Sequence, residues 1–274
     1  MKDLSGRTAF ITGGAQGIGL GIAHALGRAG VKIAIVDVNE KALEAAVAQL
    51  SDVTTVEARV LDVRDRAAFA DVADDIEAKL GPVSLLFNNA GLATRVTVEA
   101  MSYESWDWVM EVNLGGVING LQTFLPRMLA REGESHIVNT SSGAGVVSGG
   151  AGYLYHGSKF AVVGLSESLR EELAPLQVGM SILLPGAVAT GIIANSEALA
   201  PSDVADGGDA AATWRSAIST GISEGVSPLA VGDMVVAAIL DNKSPYILTD
   251  DSLDAPIQAR TAKLLDALPA KHAK

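Results

Sequence analysis

The stretch Thr8-Ala9-Phe10-Ile11-Thr12-Gly13-Gly14-Ala15-Gln16-Gly17-Ile18-Gly19 decides the fold. Its first five residues carry no polar alternation, the pattern of a short strand buried on both faces. A glycine-rich turn follows. From about Ile18 to Ala29 apolar residues then recur at helical spacing, until Gly30 stops them. Glycines at such a turn let the backbone approach a pyrophosphate, and the helix N-terminus that follows favours its negative charge. Here they are Gly13, Gly17 and Gly19, which is not the usual G-x-G-x-x-G spacing. A tight turn without a ligand has the same composition, but the position directly after the first strand favours the phosphate reading.

Further apolar runs at 31–36, 54–61, 83–87, 135–140, 178–184 and 246–249 read as strands. Helical spacing falls between them at 41–50, 66–80, 102–130, from before Tyr155 to about 173, at 231–240 and at 254–268. Strands that are nearly all apolar and alternate with helices predict an α/β, Rossmann-type doubly wound fold. Its parallel sheet of about seven strands carries helices on both faces. No linker divides the chain, so a single domain is expected. The rhythm breaks at about 187–228, a stretch rich in Ala, Gly, Ser and Asp. It is too long for a plain connection and predicts a substrate lid.

The composition narrows the function classes. The chain has 274 residues, 49% of them hydrophobic, and a net charge of −12. That balance argues against nucleic acid and against an anionic membrane surface as partners. Without cysteine there is no disulfide and no thiolate metal site, and the four histidines (His24, His136, His156, His272) show no metal-ligand spacing, so no metal is expected. With no signal-like apolar region and no run long enough to span a bilayer, a cytoplasmic protein is expected.

Asp37 ends the second strand, about twenty residues after the glycines. A carboxylate there accepts from the adenosine ribose hydroxyls and repels a 2′-phosphate. No Lys or Arg stands at 38 or within the glycine turn. The reading is NAD, with NADP the lesser alternative, although Asp37 also sits where it can cap the next helix. Asp62-Val63, after the third strand, is placed to flank an adenine. Further on, Tyr155 and Lys159 are four residues apart, which on a helix puts both on one face. A free Tyr titrates near ~10, and a nearby positive charge favours its phenolate. The spacing is common by chance and gains meaning from the cofactor signals upstream.

Thr12-Gly13-x-x-x-Gly17-x-Gly19, Asn88-Asn89-Ala90-Gly91, Asn113, Ser142, Tyr155-x-x-x-Lys159 and Pro185-Gly186-x-Val188-x-Thr190 stand in that order. Together they closely resemble the classical short-chain dehydrogenase/reductase family, over about residues 5–250. The resemblance implies that Tyr155 is the catalytic acid/base and that Lys159 holds the nicotinamide ribose and lowers the tyrosine pKa. Ser142 would orient the substrate, and Asn113 would hold a water in a proton relay to Lys159. It implies a dinucleotide held by Gly13, Gln16, Gly17, Ile18 and Gly19, then by Asn89, Ala90 and Gly91, and then by Pro185, Gly186, Val188 and Thr190, with Tyr155 and Lys159 at its reactive end. Family members pair through the helices that bear Asn113 and Tyr155, so a homotetramer, or a homodimer, is expected.

The substrate is expected to meet Ser142, Tyr153, Ala187 and Trp214. His156 is expected in solvent or at a subunit interface. The lid carries Ile192, Ile193, Leu199, Trp214 and Ile222, with Arg215 its one cation. Anions call for cations, so a neutral, fairly apolar secondary alcohol or ketone is expected. The run from Trp106 to Gly120 is also similar to a subgroup acting on bulky aryl secondary alcohols, including lignin-derived aryl ethers. Two alternatives stand beside this reading: an NADP-dependent ketone reductase, and a non-catalytic NAD-binding regulator on the same fold.

Overall fold

The computed structural model describes residues 1–150, 152–202, 204 and 208–269. The order is β1 (Thr8–Thr12), α1 (Gly17–Arg28), β2 (Lys32–Asp37), α2 (Glu40–Leu50), β3 (Val56–Val60), α3 (Arg66–Leu80) and β4 (Val83–Asn88). There follow α4 (Tyr103–Met110), α5 (Gly116–Leu129), β5 (Ser135–Thr140), α6 (Tyr153–Leu173), β6 (Val178–Leu184), α7 (Ile192–Ala198), α8 (Gly208–Ser223), α9 (Pro228–Asp241), β7 (Tyr246–Leu248) and α10 (Asp254–Asp266). The seven strands form one sheet in the order β3-β2-β1-β4-β5-β6-β7, every neighbouring pair parallel. The doubly wound fold expected from the sequence is the fold observed.

Successive strand side chains point to opposite faces, and here both faces are apolar. Ala9, Ile11, Ile33 and Ile35 join Ile22 and Leu26 of α1 and Val231 and Val235 of α9 in one core. Phe10, Ala34 and Val36 point the other way, to Phe69 of α3 and Phe124 of α5. The Phe10 ring stacks on Phe124 at 4.7 Å and Phe69 at 5.7 Å between centroids. Among the described residues, no helix is long and apolar enough to cross a membrane.

The strand order reverses between β1 and β4, the switch point where ligands of such sheets bind. One threonine ties the two strand ends together there. Thr12 Oγ1 accepts from the amides of Asn89, at 2.9 Å, and Ala90, at 3.0 Å. Asn89 Nδ2 donates back to the Thr12 carbonyl at 3.1 Å.

Two expected elements differ. The helix expected over 102–130 is broken by a π-helical turn at Glu111–Gly115; the kink suggested by Asn113 and the following glycines is this wider turn. The stretch 187–228, expected to be irregular, contains α7 and α8; its residues 203 and 205–207 lie outside the described residues. Trp214, Ile218 and Ile222 recur every four residues, and that spacing gives α8 an apolar face despite its small and polar neighbours. A parallel bridge between Val188 and Val226 closes the base of the excursion.

Candidate active site

A cavity of about 650 Å³ runs along the carboxyl edge of the sheet, from Asp37 and Asp62 at one end to Ser142, Tyr155 and Trp214 at the other. Gly13, Gln16, Gly17 and Ile18 line its floor. Gly13 has φ +62°, and a Cβ there would lie 2.9 Å from the Ala90 Cα. Gly17 has φ +52°, with Thr190 Cγ2 at 3.1 Å from its notional Cβ. Both positions therefore need glycine twice over, for conformation and for space. Gln16, extended at φ −154°, begins α1 without a side-chain cap, so the first amides of that helix face the cavity unclaimed by any capping side chain. Gly19 stands apart from this group. It does not line the cavity; a Cβ there would run into the Gly13 carbonyl and Asn89, so its hydrogen keeps the turn tight.

At the far end, Asp37 accepts from the amides of Asn39 at 3.1 Å and Ala15 at 3.4 Å. Burial nonetheless raises its pKa above the ordinary carboxyl value, against those bonds. Asp62 and Val63 line the same end, as does Arg64, a residue the sequence reading passed over. Arg64 grips Asp62 through Nε and Nη2, at 3.0 and 2.7 Å. Burial pushes the Asp62 carboxyl up, but the Arg64 bonds outweigh it and hold the pKa low.

The other end gathers residues from four elements. Ser142 follows β5; its Oγ accepts from the Ala144 amide at 3.1 Å and meets the Tyr155 phenol. Tyr155 and Lys159 stand one turn apart on α6, with Nζ 5.8 Å from the Tyr155 ring centre. Lys159 is buried and donates to the Thr140 carbonyl at 3.2 Å. Burial lowers its pKa to about 8. The expectation that Lys159 depresses the tyrosine is not met in this chain alone. Burial raises the Tyr155 pKa, and only the Ser142 bond opposes it. The ammonium is aimed at a carbonyl, and its own charge is weakened by the same dry surroundings.

Asn113 sits in the π turn and is fully buried. Its Oδ1 accepts from the Leu92 amide at 2.8 Å, and its Nδ2 donates to the Leu92 carbonyl and to Ser158 Oγ, each at 3.1 Å. Ser158, a second residue the sequence reading missed, donates in turn to the Tyr155 carbonyl at 2.9 Å. Its signal was its place three residues after Tyr155. These bonds tie Asn113 to the backbone at Leu92 and to α6. Asn113 and Lys159 also converge on Gly91, where a Cβ would come within 3.1 Å of Asn113 Oδ1 and 3.2 Å of Nζ.

Asn89, Ala90 and Gly91 line the cavity after β4, and Pro185, Gly186, Val188 and Thr190 do so after β6. Ala187 and Trp214 line it as expected. Tyr153 does not: its ring packs on Trp106 at 5.7 Å, turned toward α4, and the pocket-wall reading is corrected. Its α6 position, two residues before Tyr155, faces another side of the helix. His156, expected in solvent or at a subunit interface, is half-buried and makes contacts within the chain. One ring nitrogen meets the Ala144 carbonyl at 2.8 Å and the other meets Gly149 at 3.1 Å, clamping the loop after Ser142. Ile192, Ile193, Leu199 and Ile222 form an apolar roof, and Arg215 is paired with Glu197 at 2.6 Å, binding α8 to α7.

A backbone cradle, a ribose-end carboxylate and a buried Ser-Tyr-Lys group on one cavity make a dinucleotide site joined to a proton-transfer site. Residues 7–199 match the short chain dehydrogenase family. The chain belongs to that family. Its members bind NAD(P) and act on small molecules as oxidoreductases. The chain is 41% identical over 194 residues to the C alpha-dehydrogenase of Sphingobium sp. strain SYK-6, a match covering 70% of this chain and 64% of that relative, just under two thirds of its length. It is 30% identical to the CLA biosynthesis dehydrogenase/reductase of Lactiplantibacillus plantarum over 99% of this chain and 98% of that one. Among solved structures, a short chain dehydrogenase/reductase from Burkholderia phymatum, in complex with NAD, superposes over 100% of both chains with TM-score 0.91 at 32% identity.

Proposed function

We propose that this oxidoreductase interconverts a secondary alcohol and a ketone with NAD(H), on a neutral, fairly apolar substrate. The observation that carries the reading is the single cavity joining Asp37 to Ser142, Tyr155 and Lys159 beneath an apolar roof. The residues present fit a dinucleotide: Gly13 and Gly17 leave room that a Cβ would fill, and the amides of α1 stand ready for a pyrophosphate. Asp37 would hold the adenosine ribose, and Arg64, which lines the same end of the cavity, is committed to Asp62 rather than to a 2′-phosphate. The NAD in the Burkholderia phymatum structure supports the same choice.

When bound, the nicotinamide cofactor accepts or donates the hydride. The chain supplies the rest. Ser142 fixes the carbinol oxygen, and Tyr155, in contact with Ser142, takes the hydroxyl proton in oxidation or returns it in reduction. Lys159, held by Thr140, keeps a positive charge near the phenol. Asn113 acts as a positioning residue: it locks Leu92 and, through Ser158, the turn that carries Tyr155. Holding the carbinol against the cofactor in reactive geometry is worth on the order of 7–11 kcal/mol at best. The helices α7 and α8 serve as the lid, shutting water from this end. Ile118 and Leu129, exposed on α5, support assembly through that helix into a homotetramer or homodimer.

The test is a panel of cyclic and aryl secondary alcohols followed by NADH absorbance, with NADP in parallel. Turnover with NAD at the higher kcat/KM supports the reading. Binding of NAD with no turnover of any alcohol or ketone would replace it with the regulator reading, and a strong NADP preference with the reductase reading.

A further inference from the structure

Trp214 brings an unanswered polar group to the lid. Its indole lines the cavity from α8, is 8% exposed, and packs with Ala93 and Ile193 against Tyr155. The Nε1–H is buried and has no hydrogen-bond partner. Indole nitrogen is a donor only, and buried donors are as a rule paired. Three buried side-chain atoms among the described residues lack partners. Asn88 Oδ1 is pressed against Gly120 in the core, and the Tyr153 hydroxyl belongs to a side chain off the cavity. Of these three side chains, Trp214 alone lines the cavity where a substrate would lie.

Its surroundings define what can answer it. The lid residues on the cavity are apolar apart from Thr190, Asn195 and Trp214, and none is charged. At the opposite end the carboxylates Asp37 and Asp62 and the paired Arg64 belong to the nucleotide region. Ser142 and Tyr155 are taken by the reacting oxygen. A carboxylate or phosphate on the substrate would therefore meet no lid cation on the cavity, whereas a neutral oxygen would meet the unpartnered Trp214 donor.

Resting on the oxidoreductase reading above, we propose that the substrate is a neutral secondary alcohol bearing a second, uncharged oxygen acceptor, which takes the Trp214 Nε1–H. Trp214 thereby acts as a specificity-determining residue that selects for the acceptor and turns the carbinol carbon toward the reactive end. A site built around a hydrogen bond rejects the analogue that lacks it more strongly than an apolar pocket rejects a shape change.

The experiment uses the full chain, NAD, and two pairs of alcohols that differ by one ether oxygen in place of a methylene: chroman-4-ol against 1-tetralol, and 2-phenoxy-1-phenylethanol against 1,3-diphenylpropan-1-ol. The quantity read is the ratio of kcat/KM within each pair. The wild-type chain is expected to favour the ether in at least one pair by about tenfold. Trp214→Phe should bring that ratio toward one, whatever it does to the absolute rates, and Trp214→His, which keeps a ring donor, should restore part of it. A wild-type ratio near one in both pairs overturns the proposal without any variant, and so does a preference that survives in Trp214→Phe. If all four alcohols are oxidised without discrimination, this proposal alone fails. If none is oxidised with NAD or NADP, the oxidoreductase reading fails and takes the proposal with it.

Discussion

The Lys159 ammonium lies 5.8 Å from the centre of the Tyr155 ring and donates to the Thr140 carbonyl at 3.2 Å. Ser142 is the group that works against burial on the phenol. Tyr155→Phe removes the proton carrier and keeps the ring that packs against Ala93, Ile193 and Trp214. Loss of an acid/base group costs about 10²–10⁴-fold. Turnover should fall by that factor while NAD affinity, measured by calorimetry, stays near wild type. Near-normal turnover in the variant would remove Tyr155 from the proton path.

The raised tyrosine and the lowered lysine have a joint consequence for pH. In the proposed mechanism base-form Tyr155 accepts the hydroxyl proton, so kcat/KM for the alcohol should climb as pH rises and level off on the alkaline side, while ketone reduction falls over the same range. The measurement is a pair of pH–rate profiles in the two directions. Parallel profiles would contradict a single shared acid/base.

Lys159 also weighs on stability. Its pKa is about 8 in the folded chain, against 10.5 ordinarily. Below the folded value both states are protonated and the native state bears the full cost of the buried charge. Between the two values the unfolded chain binds the extra proton, so stability rises with pH. At 1.36 kcal/mol per unit the cost is at most about 3 kcal/mol, offset by the Thr140 bond. Lys159→Met keeps the stem and drops the charge. It should be inactive yet melt no lower than wild type at about pH 7, with the difference shifting toward wild type from about pH 8 upward. A large fall in Tm at neutral pH would show that the Thr140 bond outweighs desolvation.

The sheet, its order of elements and most of the cavity were legible in the sequence because they rest on local signals. Apolar strands, glycine turns and motif spacings name Gly13, Asp37, Ser142 and Tyr155 directly. Residues defined by their neighbours across the fold were not. Arg64 matters because it folds back onto Asp62, and Ser158 because Asn113 reaches it from another helix. Tyr153 was misplaced because its ring follows Trp106 of α4. The stretch 187–228 reads as irregular in sequence because Ala, Ser and Gly mask the four-residue recurrence of Trp214, Ile218 and Ile222.

In the proposed reading Asp37 sets the cofactor preference by charge. A 2′-phosphate beside a carboxylate is a like-charge contact costing several kcal/mol. Asp37→Ala should shift the ratio of kcat/KM for NAD over NADP toward NADP by at least about tenfold, or ~1.4 kcal/mol. Because burial raises the Asp37 pKa, the wild-type preference should also weaken as pH falls toward that carboxyl's protonation. Initial rates with both cofactors across acid pH check both statements. An unchanged ratio in Asp37→Ala would move discrimination elsewhere.

His136 sits on β5, near its amino end, away from the cavity, and is 1% exposed. Its Nε2 meets Ser181 Oγ at 3.0 Å. Burial chiefly, with the chain's amino terminus and Arg170, lowers its pKa to about 3 from 6.5. The folded chain therefore keeps it neutral while the unfolded chain protonates it below about pH 6.5, so stability falls as pH falls through that window. The loss is about 2 kcal/mol at about pH 5 and at most about 5 kcal/mol by about pH 3. His136→Gln keeps a group able to reach Ser181 and cannot take the proton. It should cost stability at about pH 7 through imperfect packing, and lose less than wild type between about pH 7 and about pH 5. Thermal melts of both proteins at the two pH values decide it; an equal acid loss in the variant would assign the acid sensitivity to other groups.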